Sequence, residues 1–175
     1  SAAETLAGLR RMGLRIVMLT GDRETAARRV ALELGIADFR AGLVPADKAG
    51  FVRAEQAAGR RVCMAGDGVN DAPALAAADA GIAMGTGSDV AKETADFILV
   101  HGSLEGVLRT FRSGRAIMRN IRENLFLAFA YNTLGIPLAA GVLYPLTGWL
   151  LSPMVAGLAM SLSSVSVIAN SLRLK

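Results

Sequence analysis

Two carboxylates four residues apart, Asp67 and Asp71, stand in the stretch "VCMAGDGVNDAPAL" behind an apolar run and among glycines. Gly66 and Gly68, on either side of Asp67, let the backbone approach a ligand closely. A hard divalent cation such as Mg2+ is held by one or two carboxylates together with phosphate oxygens and water. Asp67, at the end of a strand, fits the direct ligand. Asp71, opening the next helix, fits a residue that holds a metal-bound water or orients its neighbours, and Asn70 offers an amide to a phosphate oxygen. The same residues would equally make a helix-capping loop, because Asn and Asp are common caps and Asp-Gly is a common turn.

A second stretch, "MLTGD", ends another apolar run with Thr20, Gly21 and Asp22. The Thr20 hydroxyl and the Gly21 N–H could take a phosphate oxygen at a helix N-terminus. Between the two stretches, "VPADK" supplies Lys48 near the start of a helix, where the dipole favours an anion over a cation. That misfit points to an anionic partner, and phosphoryl transfer depends on positioning and charge stabilisation of this kind. A solvated surface lysine is the alternative.

The elements that must position these residues alternate. "GLRIVMLT" reads as a short buried strand and "RRVCMAG", "GIAMG" and "DFILV" as further strands, and "RETAARRVALELG", "PADKAGFVRAEQAAG", "DAPALAAADA" and "SDVAKETA" as helices, with Gly35 and Gly59 as stops. Alternating strand and helix predicts an α/β layered domain with a mostly parallel sheet. Ligands of such sheets bind beyond the carboxyl ends of the strands, where "TGD" and "GDGVND" both fall. Cys63, the one cysteine, excludes an internal disulfide and a multi-thiolate zinc site, and its apolar neighbours predict a buried strand position.

Composition then divides the chain. At 53% hydrophobic residues and a mean hydropathy of +0.42, part of it is expected in lipid. No Asp, Glu, Lys or Arg occurs from Leu125 to Asn170, whereas Arg109, Arg112, Arg115, Arg119 and Arg122 precede that block and Arg173 and Lys175 follow it. A membrane helix takes roughly 20 apolar residues, so two are expected, about Leu125–Tyr144 and Leu151–Leu172, broken around Pro145, Gly148 and Pro153. Basic outer ends place both chain ends in the cytoplasm and the turn from Tyr144 to Trp149 at the opposite interface. The net charge of +4 is absorbed by the basic helix beside the membrane and does not point to nucleic acid. With Ser1 in place of an initiator methionine, no signal peptide and no repeat, the chain reads as cut from something longer.

"MLTGD", "VPADK", "GDGVNDAPAL" and "GIAMGTGSDVAKETAD", in this order and spacing, closely resemble the phosphorylation domain of P-type ATPases, members of the haloacid-dehalogenase-like superfamily. The resemblance covers nearly the whole chain. It implies a partial haloacid-dehalogenase-like Rossmannoid parallel sheet over 1–105, a basic juxtamembrane helix over 106–124 and a transmembrane helical hairpin over 125–175. It also implies ATP as substrate, Thr20 and Lys48 against the phosphoryl group, Asp67 on Mg2+ with Asn70 and Asp71 completing the site, and Asp22 near the nucleotide. The family's nucleophile is the Asp of "DKTGT", on a central strand earlier in the chain, and neither that sequence nor the actuator domain's "TGE" occurs in these 175 residues. The sheet is therefore expected to have a gap with apolar edges. The partners implied are the lipid bilayer and the missing actuator, nucleotide-binding and transmembrane parts, with a copper chaperone as a further candidate.

In the apolar block, polar residues are costly in lipid and face a bundle interior. Tyr131 and Asn132 lie in the first helix, and Met160, Ser163 and Ser164 in the second. Asn132 and Ser164 each lie nine residues inward from the flanking charges, roughly 13 Å deep, and Met160 and Ser164 share one helical face. A thioether suits Cu(I), and the block offers no carboxylate for a hard divalent ion. Close helix packing by small residues, with Met160 filling space, is the structural alternative. "YN" and "MSLSS" resemble the last two helices of the copper-transporting subgroup, whereas the zinc, cadmium and lead subgroup is expected to carry an Asp and a Lys that are missing here. The resemblance thus implies a Cu(I)-exporting pump. A zinc or cadmium pump, a membrane-anchored phosphatase of the same superfamily and a non-catalytic fragment are the alternatives. His101 and Met154 are assigned no role.

Overall fold

The structure, a computed structural model, describes residues 2–85, 88–142, 144–148 and 152–173. They form two compact units divided between Phe111 and Arg112. The first unit follows the order α1 (Ala2–Arg11), β1 (Val17–Leu19), α2 (Glu24–Glu33), β2 (Asp38–Arg40), α3 (Pro45–Ala57), β3 (Cys63–Gly66), a 3-10 turn (Val69–Asp71), α4 (Ala72–Ala77), β4 (Ala80–Met84), α5 (Asp89–Thr94) and β5 (Phe97–Leu99), followed by the start of α6 (Leu104–Ala139). The four expected strands and four expected helices are all present.

Two elements went unread in the sequence. In α1, Leu6 and Leu9 are buried one turn apart, and Gly13 at φ 81° follows the helix. Strand β2 is three residues with a single apolar side chain, too short for a period of two to emerge. Its place is fixed by charge: Arg15 and Arg40 both pair with Asp38, and Arg15 also reaches Glu55 on α3.

All strand pairs are parallel. They form two sheets, β1-β2 and β3-β4-β5, and among the described residues no ladder joins β1 to β3. The expected interruption of the sheet is therefore present, with an unpaired edge on each side of it. The buried core gathers Leu6, Leu9, Ala31, Ile36, Ile82, Val107 and Leu108 from α1, α2 and the turn after it, β4 and the first turns of α6. Cys63 is a correction: the residue is exposed rather than buried, because β3 is an edge strand. Its sulfur is still desolvated and faces the field of Asp96, which together push the thiol up to about 11.

In the second unit, α6 continues without a break from the arginine-bearing segment to Ala139, so the basic helix and the apolar helix are one element of 36 residues. A short α7 (Tyr144–Thr147) leads to α8 (Pro153–Ser171), which starts with the Ser152 hydroxyl accepting from the Val155 N–H at 3.3 Å and Pro153 in the first turn. The expectation of two membrane spans needs correcting: among the described residues no helix is long and apolar enough to cross a membrane. The charge-free part of α6, 125–139, is 15 residues or about 22 Å, short of a hydrocarbon core of about 30 Å. α8 has 19 residues, about 28 Å, and carries Ser161, Ser163, Ser164, Ser166, Asn170 and Ser171 among its apolar residues. Trp149 and Leu151, expected at the turn and at the second span's start, lie outside the described residues, as do Ser1 and Lys175.

Candidate active site

At the carboxyl end of β1 the chain turns through Thr20, Gly21 and Asp22. The Asp22 N–H donates to the Thr20 Oγ1 at 3.1 Å, and that hydroxyl donates to the Asp22 carboxylate at 3.0 Å. The loop after β2 closes on this turn, the Leu43 N–H bonding to the Thr20 carbonyl at 3.0 Å and the Gly42 N–H to the Asp22 carbonyl at 2.8 Å. A side chain at position 21 would meet the Leu43 carbonyl at 3.2 Å, tighter than an ordinary contact, so glycine there eases the approach of the loop.

That loop delivers α3. The Val44 N–H at its start bonds to the Asp47 carboxylate at 3.1 Å, and Pro45 occupies the first turn. Lys48 follows one turn in and is only 9% exposed, so it is not a solvated surface lysine. Its Nζ lies 2.7 Å from Asp71 Oδ1, and Asp71 is equally buried. The misplaced charge inferred from the helix dipole therefore has its anion within the fold.

At the carboxyl end of β3 the second carboxyl oxygen of Asp71 accepts from the Asp67 N–H at 3.4 Å, while the Asp67 carbonyl accepts from the Ser88 N–H at 2.9 Å. A Cβ at position 66 would stand 2.7 Å from both Cβ and Oδ2 of Asp71. Gly66 is thus required because the Asp71 side chain lies directly over it, a relation that spacing alone does not disclose. Asp67 and Asn70 are exposed, and among the described residues no hydrogen bond or ion pair engages the Asp67 carboxylate.

The two aspartates have consequently separated in role. Asp67 presents a free carboxylate at the rim of a parallel sheet, the donor type a hard cation takes. Asp71 turns inward and joins α3 to the β3 loop through Lys48. A continuous set of bonds, from the Thr20 carbonyl through Leu43 and α3 to Lys48, Asp71 and the Asp67 amide, brings the ends of β1 and β3 into one arrangement. Among the described residues no group of three or more His, Cys, Asp or Glu side chains is placed to hold a metal, so further oxygen donors would come from a phosphate, water or another segment. Behind the site Asp79 accepts from the Val62 N–H at 2.9 Å, from Gln56 and from Arg61, which hold its carboxyl down at about 2.

Among the described residues no side-chain to side-chain hydrogen bond joins the five residues expected on the helix pair. Tyr131 and Met160 are 39% and 69% exposed, Asn132 and Ser164 are exposed and Ser163 is half-buried. The Ser164 hydroxyl bonds to its own helix at the Met160 carbonyl. Among the described residues no hydrogen bond links Tyr131 or Asn132 to Met160, Ser163 or Ser164.

Residues 1–79 match the family described as haloacid dehalogenase-like hydrolase, and a second family of the same description matches 52–111. Over all of its 175 residues the chain is 59% identical to a copper-exporting P-type ATPase of Legionella pneumophila and 57% identical to a copper-transporting P-type ATPase of Rhizobium leguminosarum. The chain matches a segment of copper-transporting P-type ATPases. It spans 24% and 21% of those two relatives' lengths. The crystal structure of a zinc-transporting PIB-type ATPase superimposes on 98% of the chain and 27% of its own, with a TM-score of 0.84 and 40% identity.

Proposed function

We propose that this chain is part of an ATP-driven pump for Cu(I), supplying most of the phosphorylation domain over 1–105, a basic connecting helix over 106–124 and two helices of the membrane bundle over 125–175. The observation that carries the catalytic part is the free Asp67 carboxylate beside the buried Lys48–Asp71 pair at the ends of parallel strands. Mg2+, when bound there, would neutralise charge on the transferred phosphoryl oxygens.

Asp67 would hold the cation, and Asp71 keeps Asp67 in place by fixing its backbone N–H. Thr20 Oγ1 and the Gly21 N–H would receive the phosphoryl oxygens, with Asn70 on the open side and Asp22 toward the nucleotide. Lys48 sits where its charge is shared between Asp71 and an incoming phosphoryl group. The nucleophile and the nucleotide-binding domain would come from other parts of the pump, and the unpaired edges of β1 and β3 are where a strand from such a segment fits.

The copper assignment is supported by the identities of 57–59% to copper pumps, and by Met160 as a soft donor in a block without carboxylates. Bilayer placement of α6 and α8 is part of the same proposal. It is supported by the absence of charged residues from Leu125 to Asn170 and by the exposure of Leu125, Phe126, Phe129, Leu158, Leu162 and Val165. Tyr131, Asn132, Met160, Ser163 and Ser164 would close on the cation once the pump's other helices surround them.

The test replaces the matching segment of the Legionella relative with this chain and measures ATP hydrolysis against Cu(I) and Zn(II). Stimulation by Cu(I) is expected; stimulation by Zn(II) alone would transfer the chain to the zinc type, and hydrolysis of small phosphate esters without any ion dependence would favour a phosphatase.

A further inference from the structure

Helix α8 carries one asparagine, Asn170, and α6 carries three, of which Asn120 and Asn124 lie one turn apart. Their side chains form a connected set. Asn120 Nδ2 donates to the Asn170 carbonyl at 2.8 Å. Asn124 Nδ2 donates to Asn120 Oδ1 at 3.0 Å and to Ser171 Oγ at 2.8 Å. Asn170 Nδ2 donates to Asn124 Oδ1 at 2.9 Å and to Glu123 Oε2 at 3.2 Å. Asn120 is 7% exposed, so its bonds to Asn170 and Asn124 are largely shielded from water and costly to leave unmade, whereas the bonds to Ser171 and Glu123 are exposed.

Such a set favours one axial register. A slip of α8 by one turn would bring Ser166 or Val167 to the place of Asn170 in one direction and Arg173 in the other, and none of them carries the amide side chain that faces Glu123 and Asn124. Buried asparagines at helix interfaces are known to select register in this way. The pattern of burial follows the same stripe: Asn124, Leu127 and Ala128 on α6, and Ser163, Ser166, Val167 and Asn170 on α8, are half-buried. Seven residues, about two turns, lead from Asn124 forward to Tyr131 and from Asn170 back to Ser163. Along helices that run side by side, the register chosen by the amides would set Tyr131 near the level of Ser163.

We propose that Asn120, Asn124 and Asn170, with Glu123 and Ser171, form a register key that fixes the axial position of α8 against α6, and so where Met160, Ser163 and Ser164 stand relative to Tyr131 and Asn132. These are positioning residues for the transported cation. The assignment of that cation site rests on the pump reading above; the register itself does not.

In the hybrid pump, Leu127→Cys and Val167→Cys, three residues inward from Asn124 and Asn170, are joined by a bifunctional maleimide suited to helices about 8–10 Å apart, and the linked peptides are counted by mass spectrometry. Asn170→Asp removes two donors and sets a carboxylate against Glu123; the yield of the linked pair should fall at least about fivefold. Adding Glu123→Gln restores a donor facing the new carboxylate and should return the yield. Asn120→Ala, which adds no charge, should lower it about two- to tenfold and stands in if the carboxylate variant is not recovered. An unchanged yield in these variants, or a fall that Glu123→Gln fails to reverse, would overturn the register key. In ATP hydrolysis, Asn170→Asp should raise the half-activating Cu(I) concentration at least about tenfold with the KM for ATP unchanged, whereas equal shifts in both would refute a positioning role. A hybrid with no metal response at all would count against the pump reading, while the cross-link would still decide the register.

Discussion

Replacing Lys48 by methionine keeps most of the side-chain volume and removes the ammonium that neutralises Asp71. Both partners are about nine-tenths buried and 2.7 Å apart, and among the described residues the only other group held by Asp71's carboxylate is the Asp67 N–H at a long 3.4 Å. Removing one partner of a buried pair leaves an uncompensated charge and costs about 3–5 kcal/mol, against roughly 0.2–1 kcal/mol for a pair in water. A domain stable by about 5–15 kcal/mol would lose a large part of that. Urea unfolding of the chain at neutral pH, followed by circular dichroism, should therefore show a markedly lower midpoint for Lys48→Met. Lys48→Met with Asp71→Asn should recover at least about half of the loss, because the remaining buried group is then neutral. A loss below about 1 kcal/mol, or one abolished by molar salt, would mean the pair behaves as a surface pair and the burial argument fails.

Gly66→Ala places a methyl group 2.7 Å from the Asp71 side chain, which Lys48 holds in place, so a destabilisation of about 1–3 kcal/mol is expected in the same assay, and an alanine variant as stable as the parent would show that Asp71 moves freely. Cys63, its thiol raised to about 11, should be alkylated slowly at pH 7 despite its exposure and progressively faster toward pH 11, and a rate at pH 7 matching a free thiol of pKa about 8.5 would refute the shift. Asp79 has a folded-state pKa of about 2, below the unfolded value of about 3.9. Its contribution is present above the unfolded value and is lost as pH falls toward 2. Asp79→Asn should accordingly flatten the stability curve between about pH 4 and 2, measured by urea midpoints, and an unchanged slope would remove the role of Asp79 in holding Val62 and Arg61.

The strand-helix alternation was legible because each apolar run was bounded by Gly or Pro and followed by a 3.6-residue period. β2 escaped because Asp38 and Arg40 are held by ion pairs, which leave no hydrophobic trace. The site residues were legible as chemistry, yet their division of labour was not: that Asp71 faces Lys48 while Asp67 stays free depends on α3 crossing to β3, a contact 23 residues distant in sequence. Cys63 was misread because the run around it looks like a central strand, and only the lack of a second ladder on β3 among the described residues makes it an edge. The asparagines at 120, 124 and 170 gave no signal in sequence, since their meaning lies in a bond spanning two helices. The single helix from Leu104 to Ala139 was hidden by the abrupt change from arginine-rich to apolar composition, which helical hydrogen bonding does not register.

The central claim, that Asp67 anchors the cation of a phosphoryl-transfer site in a copper pump, is most directly tested by Mg2+-dependent phosphoenzyme formation from ATP in the hybrid pump with and without Asp67→Asn. The account predicts a Cu(I)-dependent phosphoenzyme in the parent and near-complete loss in the variant, with copper binding to the helices retained. Parental phosphoenzyme levels in Asp67→Asn would contradict it.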